Sequence, residues 1–283
     1  MMGIIDCKEI SKKIKLSLVD RIQRVNDKYG EVPHLEIVQV GEHPSSVSYV
    51  KSIVRTCDEL SINMHISKFD KDISEDELID ELSNLNDDES IHGIIIQFPL
   101  PDGFDQNKIA NAISPLKDVD CVHSENLGNL FMGEPTVIPC TPKGIIRALK
   151  ESGVELQGKD VVVVGSGRTV GKPVSQLLLI ENATVTLCHI FTKSLKDHTK
   201  NADVLIAAAG KASLITEDMV KDGVIIADAG INVIDGKVCG DVDFENVSKK
   251  ASLITPVPGG VGAMTNSMLI ENLIDLFEIQ KNK

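Results

Sequence analysis

The sequence predicts an α/β protein of two domains, each a mainly parallel sheet flanked by helices, with an active-site cleft between them. Three observations predict it. Short apolar runs alternate with segments of helical periodicity along the 283 residues. Residues 161–164 are four valines in a row, whereas a half-buried strand would alternate apolar and polar. Small and polar residues follow almost every predicted strand, which is where parallel sheets bind ligands.

The elements follow in order. A helix is predicted over residues 7–26, where Ile10, Ile14, Leu18, Ile22 and Val25 recur near helical spacing. Residues 35–40 (LEIVQV) read as a strand. Pro44 is a start signal for a helix over 45–60. A second strand covers 62–69. Ser74 and Glu77 form a capping-box pattern that begins a helix ending near 84. A third strand, 93–97, is halted by Pro99 and Pro101. A short helix follows over 105–113. Residues 115–141 read as a long irregular loop, and their apolar content points to function rather than disorder. A helix over 142–151 leads to the valine strand. Further strands are predicted over 183–188, 204–208, 224–228 and 253–255, with a last helix from 265.

Composition narrows the function. A net charge of −13 argues against a nucleic-acid surface, which needs clustered Lys and Arg. No apolar run approaches the roughly 18 residues of a membrane-spanning helix. The first residues carry Asp6 and Glu9 and lack the apolar core of a signal peptide. The six cysteines are scattered with no C-x-x-C pair, a pattern of reduced thiols in a cytoplasmic protein. The histidines show no ligand spacing, so no metal is expected.

The glycine turn after the valine strand carries the chemistry. Gly165, Gly167 and Gly171 lie between a strand and an apolar helix start at Val174, Leu177 and Leu178. That arrangement brings backbone N–H groups and a positive helix end to a phosphate. The spacing is one residue longer than the usual dinucleotide fingerprint, so a ligand-free tight turn is the competing reading. The next strand ends at His189 with no acidic residue to hold the ribose hydroxyls of NAD. Arg168, Lys172, His189 and Lys193 suit a 2′-phosphate better, which favours NADP and leaves NAD open.

Five motifs then carry a resemblance. They are Gln97-Phe98-Pro99-Leu100-Pro101, Lys117-Asp118-Val119-Asp120, Pro139-Cys140-Thr141-Pro142, Gly230-Ile231-Asn232 and residues 255–262 (TPVPGGVG). From about residue 3 to 275 the chain resembles bifunctional methylenetetrahydrofolate dehydrogenase/methenyltetrahydrofolate cyclohydrolase. The resemblance implies a folate-binding catalytic domain over 1–143, completed by the C-terminal helix 265–283. It implies a Rossmann-like dinucleotide domain over 144–264. It also implies a cytoplasmic homodimer of one-carbon metabolism that uses tetrahydrofolate derivatives and NADP. By resemblance, Tyr49 packs on the folate rings, Gln97 positions the catalytic group and Asp120 holds the pterin. Pro99, Leu100, Pro258, Gly259 and Gly260 complete the substrate site. The implied cofactor site comprises Thr141, Gly165, Ser166, Gly167, Arg168, Thr169, Val170, His189, Ala209, Gly210, Ile231 and Thr265.

The departures from the family pattern matter. The resemblance implies a lysine four residues after Tyr49, one helical turn on, and this chain has Ile53 there. Lys51 lies about 200° round the helix from the tyrosine and points elsewhere. Gly167, Ile190 and Ala263 also stand where the family has other residues, as do Cys121, Val122 and Ser124. Isoleucine can neither donate nor accept a proton, so hydrolysis of the methenyl product is expected to be weak or absent while dehydrogenation survives. A catalytically silent folate-binding paralogue is the alternative.

Overall fold

The computed structural model describes residues 3–282. Its first half runs β1 (Gly3–Ile4), α1 (Cys7–Tyr29), β2 (His34–Val40), α2 (Pro44–Leu60), β3 (Asn63–Phe69), α3 (Glu75–Asp87), β4 (Gly93–Ile96), α4 (Gln106–Ala112), α5 (Ser124–Met132) and α6 (Cys140–Glu151). It continues with β5 (Asp160–Val164), α7 (Gly171–Ile180), β6 (Thr184–Cys188), α8 (Leu195–Thr199), β7 (Val204–Ala207), β8 (Ile225–Asp228), β9 (Asn232–Ile234), β10 (Lys237–Cys239), α9 (Phe244–Val247), β11 (Leu253–Ile254) and α10 (Thr265–Lys281).

These elements fall into two compact units. The first holds Ile14–Cys140 and the C-terminal residues from Asn266. Its sheet is three parallel strands in the order β3-β2-β4. β2, in the middle, is buried from Leu35 to Val40, whereas the edge strand β3 is largely open. Val38, Ile94 and Ile96 pack with Leu78, Leu82 and Ile109 of the helices. Burying each such side chain is worth ~1.5–3 kcal/mol. The capping box forms: Ser74 Oγ accepts the Glu77 N–H at 3.2 Å, and the Glu77 carboxylate accepts the Ser74 N–H at 3.0 Å. Leu273, Ile274 and Phe277 of α10 are fully buried.

The second unit holds Thr141–Thr265 with the N-terminal residues through Lys13. Its parallel sheet has the order β1-β11-β8-β7-β5-β6. The valine run is buried throughout, as its composition requires. α7 packs on β5 and β6, and β9 and β10 form a separate antiparallel hairpin.

Two sequence expectations change. Residues 115–141 are not irregular throughout, because α5 forms within them. Its cap is His123, whose Nδ1 accepts the Glu125 N–H at 3.0 Å, and histidine is not among the usual capping residues. The other change concerns the start of the chain. The sequence reading puts it in the domain spanning 1–143, yet Gly3 and Ile4 pair with Leu253 and Ile254 at the edge of the other sheet. Two residues leave no periodicity to read.

Candidate functional site

Gln97 follows β4 and still donates its backbone N–H to the Val38 carbonyl at 2.9 Å. The side chain is therefore fixed at the carboxyl end of the three-stranded sheet. It is 3% exposed, and its Nε2 has no hydrogen-bond partner among the described residues. A buried unpaired amide is costly. The cis Phe98–Pro99 peptide and buried Leu100 follow directly.

Asp120 is held from several sides. Residues 117–119 run beside β4, with the Ile94 N–H donating to the Lys117 carbonyl at 2.6 Å. Lys117 Nζ donates to the carbonyls of Leu85 and Asp88 at 3.0 and 2.7 Å. Asp118, fully buried, accepts the N–H groups of Val122 and His123 and the Asn126 amide at 2.9–3.0 Å. Asn272 of α10 donates to the Val119 and Ile138 carbonyls at 2.9 and 2.7 Å. Burial pushes the Asp120 carboxyl up to about 6; hydrogen bonds from Cys140 oppose the rise and the charge of Asp118 adds to it. Burial likewise raises the Tyr49 phenol, and the charge of Asp120 is the next cause, so the two groups face each other electrostatically.

Ile53 lies one turn after Tyr49 on α2 and is fully buried. Lys51 and Arg55 line a different side of α2, in a groove with Gln39, Glu42 and Lys68 that does not include Tyr49.

The second unit holds the glycine turn. Gly165 takes φ 115°, and a Cβ there would run into the Ala208 carbonyl, so only glycine fits between β5 and β7. Its N–H donates to the Cys188 carbonyl at 2.9 Å. Gly165, Ser166, Gly167, His189 and Ala209 line one cavity of about 510 Å³. Arg168 and Thr169 are exposed on the turn, and Val170 is the N-cap of α7. Gly210 follows Ala209. Ile231 is 70% exposed after β8. The hydroxyls of Thr141 and Thr265 lie 3.3 Å apart. Pro258, Gly259 and Gly260, expected at the substrate, belong to this unit, and Gly259 sits beside Lys8.

The strand order fits a dinucleotide. β6 and β7 flank β5 on opposite sides, so the glycine turn sits where the strand order reverses. No carboxylate stands at the end of β6, where Cys188 leads to His189 and an Ile190 that is 91% exposed. The cavity beside the glycine turn, and the absence of that acid, both fit NADP. Sequence reasoning missed the supporting roles of Asp118, Asn272 and Cys140. The Lys117–Asp120 motif signalled Asp118 and the Pro139–Pro142 motif signalled Cys140, whereas nothing signalled Asn272.

Known proteins share this sequence and fold. Residues 5–120 match the family model for the tetrahydrofolate dehydrogenase/cyclohydrolase catalytic domain, and residues 139–281 match that for its NAD(P)-binding domain. A "Bifunctional protein FolD" of Caldanaerobacter subterraneus subsp. tengcongensis is 48% identical over 97% of this chain and 96% of its own length. The Bacillus subtilis protein of the same name is 44% identical, covering 96% of each. The crystal structure of the bifunctional FolD dehydrogenase/cyclohydrolase from Campylobacter jejuni superposes with a TM-score of 0.97 at 44% identity, covering 99% of this chain and 100% of that one. The Trypanosoma brucei enzyme, complexed with NADP cofactor and inhibitor, gives 0.94 at 32% identity, covering 100% and 99%.

Proposed function

Because the chain belongs to the tetrahydrofolate dehydrogenase/cyclohydrolase family, we propose that it oxidises 5,10-methylenetetrahydrofolate to the 5,10-methenyl form with NADP, and that it hydrolyses the product weakly or not at all. One observation carries this reading: the Asp120 carboxylate acts electrostatically on the Tyr49 phenol in the unit that also buries the unpaired Gln97 amide, while the position one turn beyond Tyr49 holds a fully buried isoleucine.

The two steps ask different things of the protein. Bound NADP supplies the hydride acceptor. Hydride departure is driven by a lone pair on a folate nitrogen and requires aligned rings rather than a side-chain proton. Asp120 accepts hydrogen bonds from the pterin amino and ring N–H groups, Tyr49 packs on the ring system, and the Gln97 amide orients the reacting end. Pro99 and Leu100 of the same unit complete the folate contacts. In the cofactor site, Gly165, Ser166, Gly167, Arg168, Thr169 and Val170 cradle the phosphates. His189 meets the ribose end. Thr141, Ala209, Gly210, Ile231 and Thr265 border the rest.

Hydrolysis instead needs an activated water and moving protons, a contribution on the order of 10²–10⁴ in rate. Ile53 supplies neither, and Lys51 and Arg55 line another groove. Absorbance-monitored reduction of NADP with 5,10-methylenetetrahydrofolate, followed by decay of the methenyl signal, tests both halves. The expected result is NADPH formation with methenyl decay near the uncatalysed rate. Rapid decay overturns the hydrolase half. Folate binding without NADP binding identifies a silent paralogue instead. The reading also includes a cytoplasmic homodimer, supported by family likeness and testable by sedimentation.

A further inference from the structure

Two buried carboxylates that the proposed reaction does not use stand beneath the loops of the cofactor unit. Asp241 is 0% exposed. Its Oδ2 accepts the backbone N–H groups of Ala209 and Gly210 at 2.6 and 2.9 Å. Its Oδ1 accepts the Lys211 N–H and the Asn232 side-chain amide, both at 2.9 Å. Four N–H donors thus satisfy one carboxylate, in charge-assisted bonds that are about twice as strong as neutral ones. Asp241 is held in turn. Its own N–H donates to Asp228 Oδ1 at 3.1 Å, and Asp228 also accepts the N–H groups of Gly230 and Val242 at 2.9 and 3.0 Å. Gly230 has to be glycine because a Cβ would overlap the Asp241 carboxylate.

The segments tied together are those after β7 and β8. In a doubly wound sheet these lie on the far side of the glycine turn from β6, the side that takes the second nucleotide, here the nicotinamide half. Ala209 and Lys211 line the cofactor cavity. The N–H groups of residues 209–211 are all turned to Asp241, so they are not available to oxygens of the cofactor. The position of that loop is thus set by Asp241 beneath it.

We propose that Asp241 is a positioning residue for the nicotinamide half of the cofactor, fixing Ala209–Gly210 and the Ile231–Asn232 turn against each other without touching the ligand. This assignment rests on the dehydrogenase reading above.

The test is Asp241→Asn in the full-length protein. An amide has one acceptor oxygen, so its NH₂ must face two of the four donors whichever way it turns. The expected result is an NADP KM raised at least tenfold, with the KM for 5,10-methylenetetrahydrofolate within twofold of wild type. Asn232→Ala removes one donor, leaves the three backbone bonds in place, and is the second variant should Asp241→Asn fail to fold. It is expected to raise the NADP KM about threefold with the same selectivity. NADP bound equally well by wild type and either folded variant, in calorimetry, overturns the assignment alone. So does a parallel rise in both KM values. Wild-type protein that binds no NADP overturns the dehydrogenase reading, and this assignment with it.

Discussion

Replacing Asp120 with asparagine should change how stability depends on pH, in a direction the structure fixes. Burial holds the carboxyl at about 6, against an ordinary value of 3.8. The folded chain therefore keeps this proton to higher pH than the unfolded chain does. Between about pH 4 and 6 the native state binds more protons, so the Asp120 contribution to stability falls as pH rises. From 3.8 to about 6, at about 1.4 kcal/mol per pH unit, the loss reaches about 3 kcal/mol by pH 7. Asparagine has no proton to release. Asp120→Asn should therefore gain up to that much on wild type between pH 4 and 7. Asp228, pushed up to about 6 chiefly by burial, titrates in the same window in both proteins, so the difference between them isolates Asp120. Urea unfolding at half-unit pH steps measures it. Stability curves that stay parallel within ~0.5 kcal/mol across this range would refute the reasoning. On the proposed reading, in which the Asp120 carboxylate accepts the pterin N–H groups, the KM for folate should fall as pH rises through about 6 in wild type and stay flat in the variant.

Other perturbations follow from the same geometry. Gln97→Leu removes an amide whose nitrogen has no partner, so melting temperature should hold or rise while folate turnover drops at least tenfold. A clear loss of melting temperature would mean the amide is structural. Asn272→Ala takes the amide donor from the Ile138 carbonyl and leaves Val119 only the Cys140 thiol, and should cost ~1–3 kcal/mol in urea unfolding, with a raised folate KM because Val119 adjoins Asp120. Gly165→Ala puts a Cβ into the Ala208 carbonyl at a positive φ, and calorimetry should show NADP binding abolished. Retained binding would show that the turn can relax.

The fold was legible wherever a local signal was strong. The valine run, the Ser74 capping box and the Pro44 helix start each state their structure in a few neighbouring residues. β1, α8 and α9 were not legible, because two to five residues carry no period, whereas the β9–β10 hairpin went unread although Asp235-Gly236 between two short strands signals it. For the site, Gly165 could be read from its place between a strand and a helix. Tyr49, Gln97 and Asp120 came from family likeness and not from spacing. The Asp228–Asp241 arrangement was invisible because its donors are backbone groups far apart in the chain, and backbone N–H groups leave no mark on composition. Ile53 was legible only as a departure, since an isoleucine on a buried helix face is otherwise ordinary core.

The strand at residues 3–4 has a consequence for how this polypeptide is made. Its partner is residues 253–254, so the cofactor sheet lacks its edge until those residues, some 250 later, have been made. The other unit waits even longer, since Asn272 must emerge before it can brace the stretch leading to Asp120. Both halves therefore wait for residues beyond 250, so maturation is a late event in each. Trimming the last helix should accordingly injure a substrate site encoded some 150 residues upstream.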